Sequence, residues 1–392
     1  MTTLLKQLNK DRRQMSIRDL ADINYGFSLP ERDRNDGDVK VYASSGVVGT
    51  HDEFSVSGPS IVIGRKGSVG SVFYSEENIF PIDTAYYINE TKNNTNLKFL
   101  YYLLKRINLP RYSGDSAVPG LNRDAVYGIS VEIPGDDSTQ EKIAEILSSY
   151  DEKIENNSKI IETLEKIAKS IFKEWFGDFH FPHHEKTKFV DSSKGKIPED
   201  WRVEKIKSLA DVKSGYAFKS SEFVDSGFNR VVKIKNVLGD GKIDTFDTSF
   251  ISEELAVSDK VKQFKLTEGD ILLAMSGNTT GKIGIVYGTT NNLFLNQRVG
   301  KFLIKDDLYK NFLYLFLMSN SYEKKFLGMG YGSAQPNISP SQVEGVDIVI
   351  PPEKIIEEFE GIINSIFQKI YLIGNENIKL AEMRDLLLNK LI

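Results

Sequence analysis

The chain has no cysteine in 392 residues, only four histidines and only two tryptophans. Without cysteine there is no disulfide framework, no thiolate metal site and no cysteine nucleophile, a composition compatible with a reducing compartment. No apolar run reaches the length of a membrane span, and the amino-terminal segment MTTLLKQLNKDRRQM lacks a signal-peptide core. A cytoplasmic protein with no membrane partner is the expectation. Basic excess is missing too. Fifty Lys and Arg face 55 Asp and Glu, a net charge of −5 that does not fit a non-specific nucleic-acid binder. Segment 177–350 carries 23 basic and 22 acidic residues, and segment 1–137 carries 16 and 18. Any DNA-facing surface must therefore come from charge sorted onto one face.

What the chain does have is a stretch free of proline and glycine, 138–176. Apolar side chains fall at Ile143, Leu147, Tyr150, Ile154, Ile161, Leu164, Ala168, Ile171 and Trp175, and with Asn157 in the gap the steps alternate four and three. That spacing predicts a helix with a coiled-coil seam, about 38 residues and roughly 57 Å long. Segment 352–392 repeats the pattern with Phe359, Ile363, Ile366, Ile370, Ile373, Leu380, Leu387 and Leu391. A shift of 216 places Ile154 on Ile370, Glu141 on Glu357 and Leu164 on Leu380. Two long helices with matching heptads read as an intramolecular pair rather than two unrelated surface helices. Asn157 and Asn377 on the seam would fix register or orientation. Arg384, also on the seam, would loosen the far end.

The repetition extends beyond the helices. Ile17-Arg-Asp-Leu-Ala-Asp-Ile23 echoes Ile206-Lys-Ser-Leu-Ala-Asp-Val212, each shortly followed by a glycine, Gly26 or Gly215. Ser60-Ile-Val-Ile-Gly64 echoes Asp270-Ile-Leu-Leu-Ala274, and Gly67-Ser-Val-Gly-Ser-Val-Phe73 echoes Gly281-Lys-Ile-Gly-Ile-Val-Tyr287. Further echoes at 99–104 and 312–317, 116–119 and 333–336, and 129–133 and 346–350 keep the same order. One module plus its helix is used twice. Short β-rich runs at 39–43, 60–64, 69–74 and 84–88, and at 231–235, 270–275, 283–287 and 299–304, predict a curved sheet of short strands in each module. Helices at about 96–107 and 308–319 pack on these sheets, and a last strand (129–133, 346–350) runs into a proline before each long helix. The domain reading is 1–137, the helix 138–176, a linker 177–198 anchored by Phe176, Phe179 and Phe181, a second domain 199–350, and the helix 351–392.

Catalytic motifs fail one by one. The segment from Gly277 to Lys282 has three residues between its glycines where a phosphate loop needs four, and Ile283 where Ser or Thr should hold magnesium. Gly64, Gly67 and Gly70 lack the dinucleotide fingerprint and mark tight turns. Gly328, Gly330 and Gly332 follow a predicted helix where a methyl-donor loop should follow a strand. His180, His183 and His184 sit in the linker without regularly spaced partners, so a solvated loop is the better reading than a metal site. No catalytic residue and no metal ligand is assigned.

Binding is the better class. Loops that mix base-reading and phosphate-holding side chains recur at equivalent places. In the first module these supply Arg32, Arg34, Tyr42, Ser44, Ser45, Arg65, Lys66, Ser68, Arg111, Tyr112 and Ser116. In the second they supply Lys219, Lys233, Lys235, Asn236, Ser276, Asn278, Thr279, Thr280, Lys282, Gln297, Arg298, Tyr331, Ser333, Gln335 and Asn337. Arg suits guanine edges, Asn and Gln suit adenine edges, and Lys suits phosphates. Taken singly, each loop reads equally well as a solvated turn; their recurrence in a duplicated frame carries the reading.

Over nearly its full length the chain resembles the specificity (S) subunit of a type I restriction–modification enzyme. The resemblance rests on the two module-plus-helix repeats, on Gln140-Glu-Lys-Ile-Ala-Glu-Ile-Leu147 with Asp151-Glu-Lys-Ile154, and on Glu174-Trp-Phe-Gly-Asp-Phe-His-Phe-Pro182. Lys196-Ile-Pro-Glu-Asp-Trp201, opening the second module, and Pro351-Pro352 add to it. The first module departs from the pattern, because 1–15 stands where an Ile-Pro-x-x-Trp opening would be. The resemblance implies an α+β fold: two similar globular target-recognition domains joined by a pair of long antiparallel coiled-coil helices, with pseudo-twofold internal repeat. It implies a non-catalytic subunit in which each domain reads half of a bipartite, asymmetric site in double-stranded DNA and the helices set the spacer. It further implies two modification subunits carrying S-adenosylmethionine, restriction subunits carrying ATP and magnesium, and no cofactor in this chain. The alternatives are a coiled-coil scaffold that binds only proteins, a fused enzyme, and the specificity subunit of a stand-alone methyltransferase. The pattern also places 1–15 near the end of the last helix.

Overall fold

In the first module the strand Arg12–Ser16 pairs antiparallel with Ser130–Pro134, so the chain opens and closes the module on one ribbon. Ser16 then starts a single helical turn, Ile17–Leu20, as the Asp19 carboxylate accepts from the Ser16 N–H at 2.9 Å and from its hydroxyl at 2.6 Å. This is the reciprocal cap that Ser and Asp three residues apart favour. The main sheet runs in the order Asn24–Tyr25, Ala85–Ile88, Ser60–Gly64, Val72–Ser75, antiparallel throughout. Ser60–Gly64 is buried along its whole length because both faces are covered. Ile61 and Ile63 join the helix Leu97–Arg106, whereas Val62 joins a second sheet with Tyr42, Val56 and Ile79, the alternation expected of a strand. That second sheet has the order Gly46–His51, Val39–Ala43, Ile79–Pro81, the last two parallel. The structure, a computed structural model, describes every residue except 1–10, 115–119, 246, 289–291, 320–321, 323–324, 327 and 330–335.

The second module repeats this plan, with one strand more in its second sheet and an added two-stranded ribbon, Val237–Gly239 with Lys242–Ile243. Arg202–Lys205 pairs with Asp347–Ile350, and Ile206 N–H donates to Val346 O at 2.8 Å as Ile17 N–H does to Ile129 O at 3.0 Å. Its main sheet, Ala210–Ser214, Val299–Ile304, Ile271–Ala274, Ile283–Ile285, has the same order. Its second sheet again sets one pair parallel, Asn229–Val232 with Asn292–Leu295. Ile271 and Leu273 face the helix Lys310–Leu317, while Leu272 and Ala274 face the other sheet. Even the glycines correspond. A Cβ on Gly26 would lie 2.1 Å from Ile82 O, and one on Gly215 would lie 2.2 Å from Leu295 O, so neither position admits a side chain. The run expected as strand at 231–235 ends at Val232, because the Asn236 side chain accepts from Lys233 N–H and turns the chain into a single 3-10 turn, Ile234–Asn236. Segment 177–198 is packed on this module: Phe181 is buried, Phe179 and Phe181 each lie 5.3 Å from Trp201, and 189–198 forms a hairpin with Lys194 paired to Asp347 at 2.8 Å.

The long helices are Asp137–Phe172, 36 residues followed by a π-helical turn Lys173–Gly177, and Glu353–Leu391, 39 residues. The chain divides into two units, 1–153 with 380–392 and 154–379, so each unit holds a piece of both helices. In the second unit Asn157 meets Asn377 and Phe172 meets Phe359, which makes the pair antiparallel. In the first unit Ile143 and Leu147 share a core with Leu388, Leu391 and Ile392. There Arg384 does not open the seam: its guanidinium donates to Asp151 at 2.6 Å, and Tyr102 OH donates to the other Asp151 oxygen at 2.7 Å.

Of the seam residues, Ile143, Leu147, Ile161, Phe359, Ile363, Ile370 and Ile373 are buried. Tyr150, Ile154, Leu164, Ile171, Ile366, Leu380 and Leu387 are half-buried, and Phe367, Ile378, Ala381 and Leu388 take the deeper places beside them. The second helix covers the sheet-bound helix as well as its long partner, so its buried face is wider than a two-position stripe. Arg12 donates to Leu391 O at 2.7 Å and to Ile392 O at 3.2 Å, which sets residue 12 beside the end of the last helix. Among the described residues no helix is long and apolar enough to cross a membrane.

Candidate nucleic-acid interface

In each module the loops following the sheet strands meet at one end of the sheet, held there by backbone hydrogen bonds. In the first, Arg65 and Lys66 N–H both donate to Thr84 O, at 2.9 and 3.1 Å. Leu121 N–H donates to Arg65 O at 2.8 Å, Asn122 N–H to Tyr112 O at 3.1 Å, and Ile82 N–H to Tyr42 O at 2.8 Å. Loops 42–45, 65–68, 82–84 and 111–122 therefore form one patch over their described residues. Gly67 (φ +83°) makes the tight turn at its centre, beside the Ser44 hydroxyl.

Its side chains divide by role. Tyr42 and Ser44 are buried, and the Tyr42 ring packs 6.3 Å from Phe73 in the core beneath. Ser45, Lys66, Ser68 and Arg111 are exposed, and Tyr112 is half-buried. Arg65 donates to Asp83 O at 2.8 Å and lies over the Tyr25 ring at 5.0 Å; Arg123 lies over the same ring at 4.8 Å and near Tyr127 at 5.9 Å. Arg34 donates to Val48 O at 3.1 Å on the hairpin that continues from Ser45, and Arg32 extends into solvent beside Asp33.

The second module assembles the equivalent loops. Met275 N–H donates to Arg298 O at 3.0 Å, Ile338 N–H to Met275 O at 2.8 Å, and Gly277 N–H to Pro336 O at 3.2 Å. The Thr279 hydroxyl donates to Ile234 O at 2.9 Å, Gln297 N–H to Tyr216 O at 2.9 Å, and Asn337 bridges Ser276. Asn236, Ser276 and Thr280 are buried: Asn236 bonds Lys233 N–H and Asp247 O, Thr280 bonds Gly277 O, and the Ser276 hydroxyl accepts from the Arg298 guanidinium at 3.4 Å. Lys219, Lys235, Asn278, Gln297, Arg298 and Asn337 are exposed; Lys233, Thr279 and Lys282 are half-buried. Lys235 is paired with Asp247 at 2.8 Å. Lys233 sits 3.8 Å above the Phe223 ring, where burial, followed by the neighbouring charge of Lys235, lowers its pKa.

Ser116, Tyr331, Ser333 and Gln335 lie outside the described residues. Tyr25, Thr84 and Arg123 belong to the first patch although no loop motif marks them; only their partners in space do. The histidines of 180–184 stay local: His184 Nδ1 lies 2.9 Å from Phe181 O, and the His180 and His184 rings are 4.9 Å apart. Among the described residues no three His, Asp or Glu are grouped to hold a metal ion. Each patch thus offers guanidinium, ammonium, amide and hydroxyl donors on a backbone-bonded platform, a chemistry suited to phosphate oxygens and base edges.

The family model described as type I restriction modification DNA specificity domain matches the chain twice, over residues 9–166 and 198–382. The MjaVIII type I restriction enzyme specificity subunit of Methanocaldococcus jannaschii is 33% identical over 315 residues, covering 79% of this chain and 72% of that one. The HindI specificity subunit of Haemophilus influenzae is 27% identical over 373 residues, with 80% of each chain covered. Among solved structures, the S subunit of a type I restriction–modification system from M. genitalium covers 98% of this chain and 96% of its own, with a TM-score of 0.56 at 19% identity, a likeness of fold.

Proposed function

The chain belongs to the type I restriction–modification DNA specificity family, and on that premise we propose that each of its two modules, 1–137 and 199–350, reads one half of a bipartite, asymmetric DNA target. The observation that carries this is the recurrence of the patch: the same loops converge at the same end of the same sheet in both modules, but with different exposed side chains. A shared frame with unlike donors suits two unlike half-sites.

The long helices would act as the spacer. At about 1.5 Å per residue a 36-residue helix reaches about 54 Å, roughly one and a half turns of DNA at about 34 Å per turn. Their outer faces keep apolar side chains uncovered, Ile160 and Ile167 one heptad apart on the first and Leu372, Met383 and Leu386 on the second. Such faces suit two modification subunits, which would bring S-adenosylmethionine and methylate adenine, with restriction subunits bringing ATP and magnesium. On this reading the chain is a non-catalytic cytoplasmic adaptor without a cofactor of its own.

Methylome sequencing of the host with and without the gene tests it: a two-part motif that disappears with the gene is expected. Deleting one heptad from 138–176 is expected to shorten the unspecified gap and leave both halves of the motif intact. An unchanged gap would refute the spacer role. A complex with the modification subunit that binds all duplexes equally would refute sequence reading.

A further inference from the structure

One difference between the two patches falls at the residue that follows the central strand. Arg65 follows the central strand Ser60–Gly64, and its N–H donates to the carbonyl of Thr84. In the second module the residue after the central strand Ile271–Ala274 is Met275, which is buried, and its N–H donates to the carbonyl of Arg298. The same backbone contact thus carries its arginine on the donor side in one module and on the acceptor side in the other.

Arg65 is also unusually constrained for a surface arginine. Its guanidinium lies over Tyr25 and is tied to Asp83 O, while Arg123, which donates to Ile23 O at 3.4 Å, lies over the same tyrosine. Stacking removes rotamer freedom before any ligand arrives, so little more is lost on binding. A phosphate can also take an arginine fork, but the exposed Lys66 next in the chain is a flexible point charge that can follow the backbone without any fixed plane. A fixed planar fork matters where the partner presents two acceptors at a set spacing. The O6 and N7 atoms of guanine in the major groove are such a partner, and unlike two phosphate oxygens they carry sequence.

Resting on the proposed reading of half-sites, we propose that Arg65, held by Tyr25 and Asp83 O, is the specificity-determining residue through which the first module reads a guanine in its half-site. The second module, with Met275 at the equivalent position, reads its half-site without a counterpart.

The test uses the full chain assembled with its modification subunits and the duplex that methylome sequencing defines. Arg65→Ala is expected to weaken that duplex about 10-fold to 100-fold while leaving a scrambled duplex within about twofold. Arg65→Lys is expected to recover only part of the difference. Replacing the first-half guanines singly by 7-deazaguanine, which lacks the N7 acceptor, should weaken unaltered protein at one position and have no further effect on Arg65→Ala. That arm decides the matter even where a variant fails to assemble. Equal losses on both duplexes with a shallower salt dependence would make Arg65 a phosphate contact and overturn the proposal. So would insensitivity to every 7-deazaguanine. A wild-type assembly without sequence preference would instead sink the half-site reading itself, and Arg65 with it; a wild-type preference that survives Arg65→Ala sinks the Arg65 assignment alone.

Discussion

Glu360 faces the start of the helix Lys310–Leu317, where its carboxylate accepts from Phe312 N–H at 3.1 Å and from the Asn311 amide at 2.8 Å. Burial pushes its pKa up to about 7, against the partial relief of those two donors. The folded state therefore holds a proton that the unfolded state has released between pH 4.5 and about 7, so stability is fully present below that window and falls as pH rises through it. Glu360→Gln, with Asn311 flipped to accept from the new amide, is expected to flatten that fall, by about 3 kcal/mol at most. Both tryptophans, Trp175 and Trp201, lie in the same unit as Glu360, so tryptophan fluorescence during denaturation between pH 5 and 8 reads it directly. An unchanged pH profile would refute this account. The same scale shows why the patches were only partly legible in sequence. Asn236 and Asn278 are the same amide in neighbouring loops, yet one is spent on a turn and the other is exposed. Side chains that bond backbone locally look, in sequence, like side chains free to bond a ligand. Arg123 and Tyr25 meet across almost a hundred residues, and no spacing announces that.

At the scale of elements, strands at 39–43, 60–64 and 299–304 were readable because β-rich runs ended at glycine or at polar turn residues. The seam was readable as a period but not as a depth. Gly374 lets the second helix approach Tyr287, where a Cβ would lie 2.9 Å from the tyrosine Cβ, and the buried face beyond it runs through Ile378 and Ala381. Asn157 is where sequence and structure meet most directly. It is buried and donates to Asn377 at 2.9 Å and to Glu376 at 2.7 Å. Asn157→Ala is expected to cost about 1–2 kcal/mol by removing two hydrogen bonds, one of them to a charged group, from the buried seam. Replacing both asparagines by leucine should restore the loss and relax the register. A double-mutant cycle followed by tryptophan fluorescence checks this; additive single costs would show that the two amides do not act together.

Across the whole molecule the duplication was legible because the echoes keep their order, and the family match to both halves repeats it. What sequence did not reveal is how the chain is partitioned. The first unit is stitched from 1–153 and 380–392, and its core contains Leu388, Leu391 and Ile392 beside Ile143 and Leu147. Removing residues 388–392 is therefore expected to damage the first unit, to which they belong, and to spare the second, which precedes them directly in sequence. Limited proteolysis should cut within 11–153 while the tryptophan transition stays in place; a shifted tryptophan transition would contradict this. The clasp of Arg12 on the last two carbonyls has a consequence for synthesis as well. A nascent chain exposes the greasy side of its first 153 residues until the ribosome delivers the final turn, roughly tens of seconds later at about 5–20 residues per second. The half made first is thus the half finished last, and a translation product interrupted just short of residue 388 would be sticky at its beginning although its second unit is already closed.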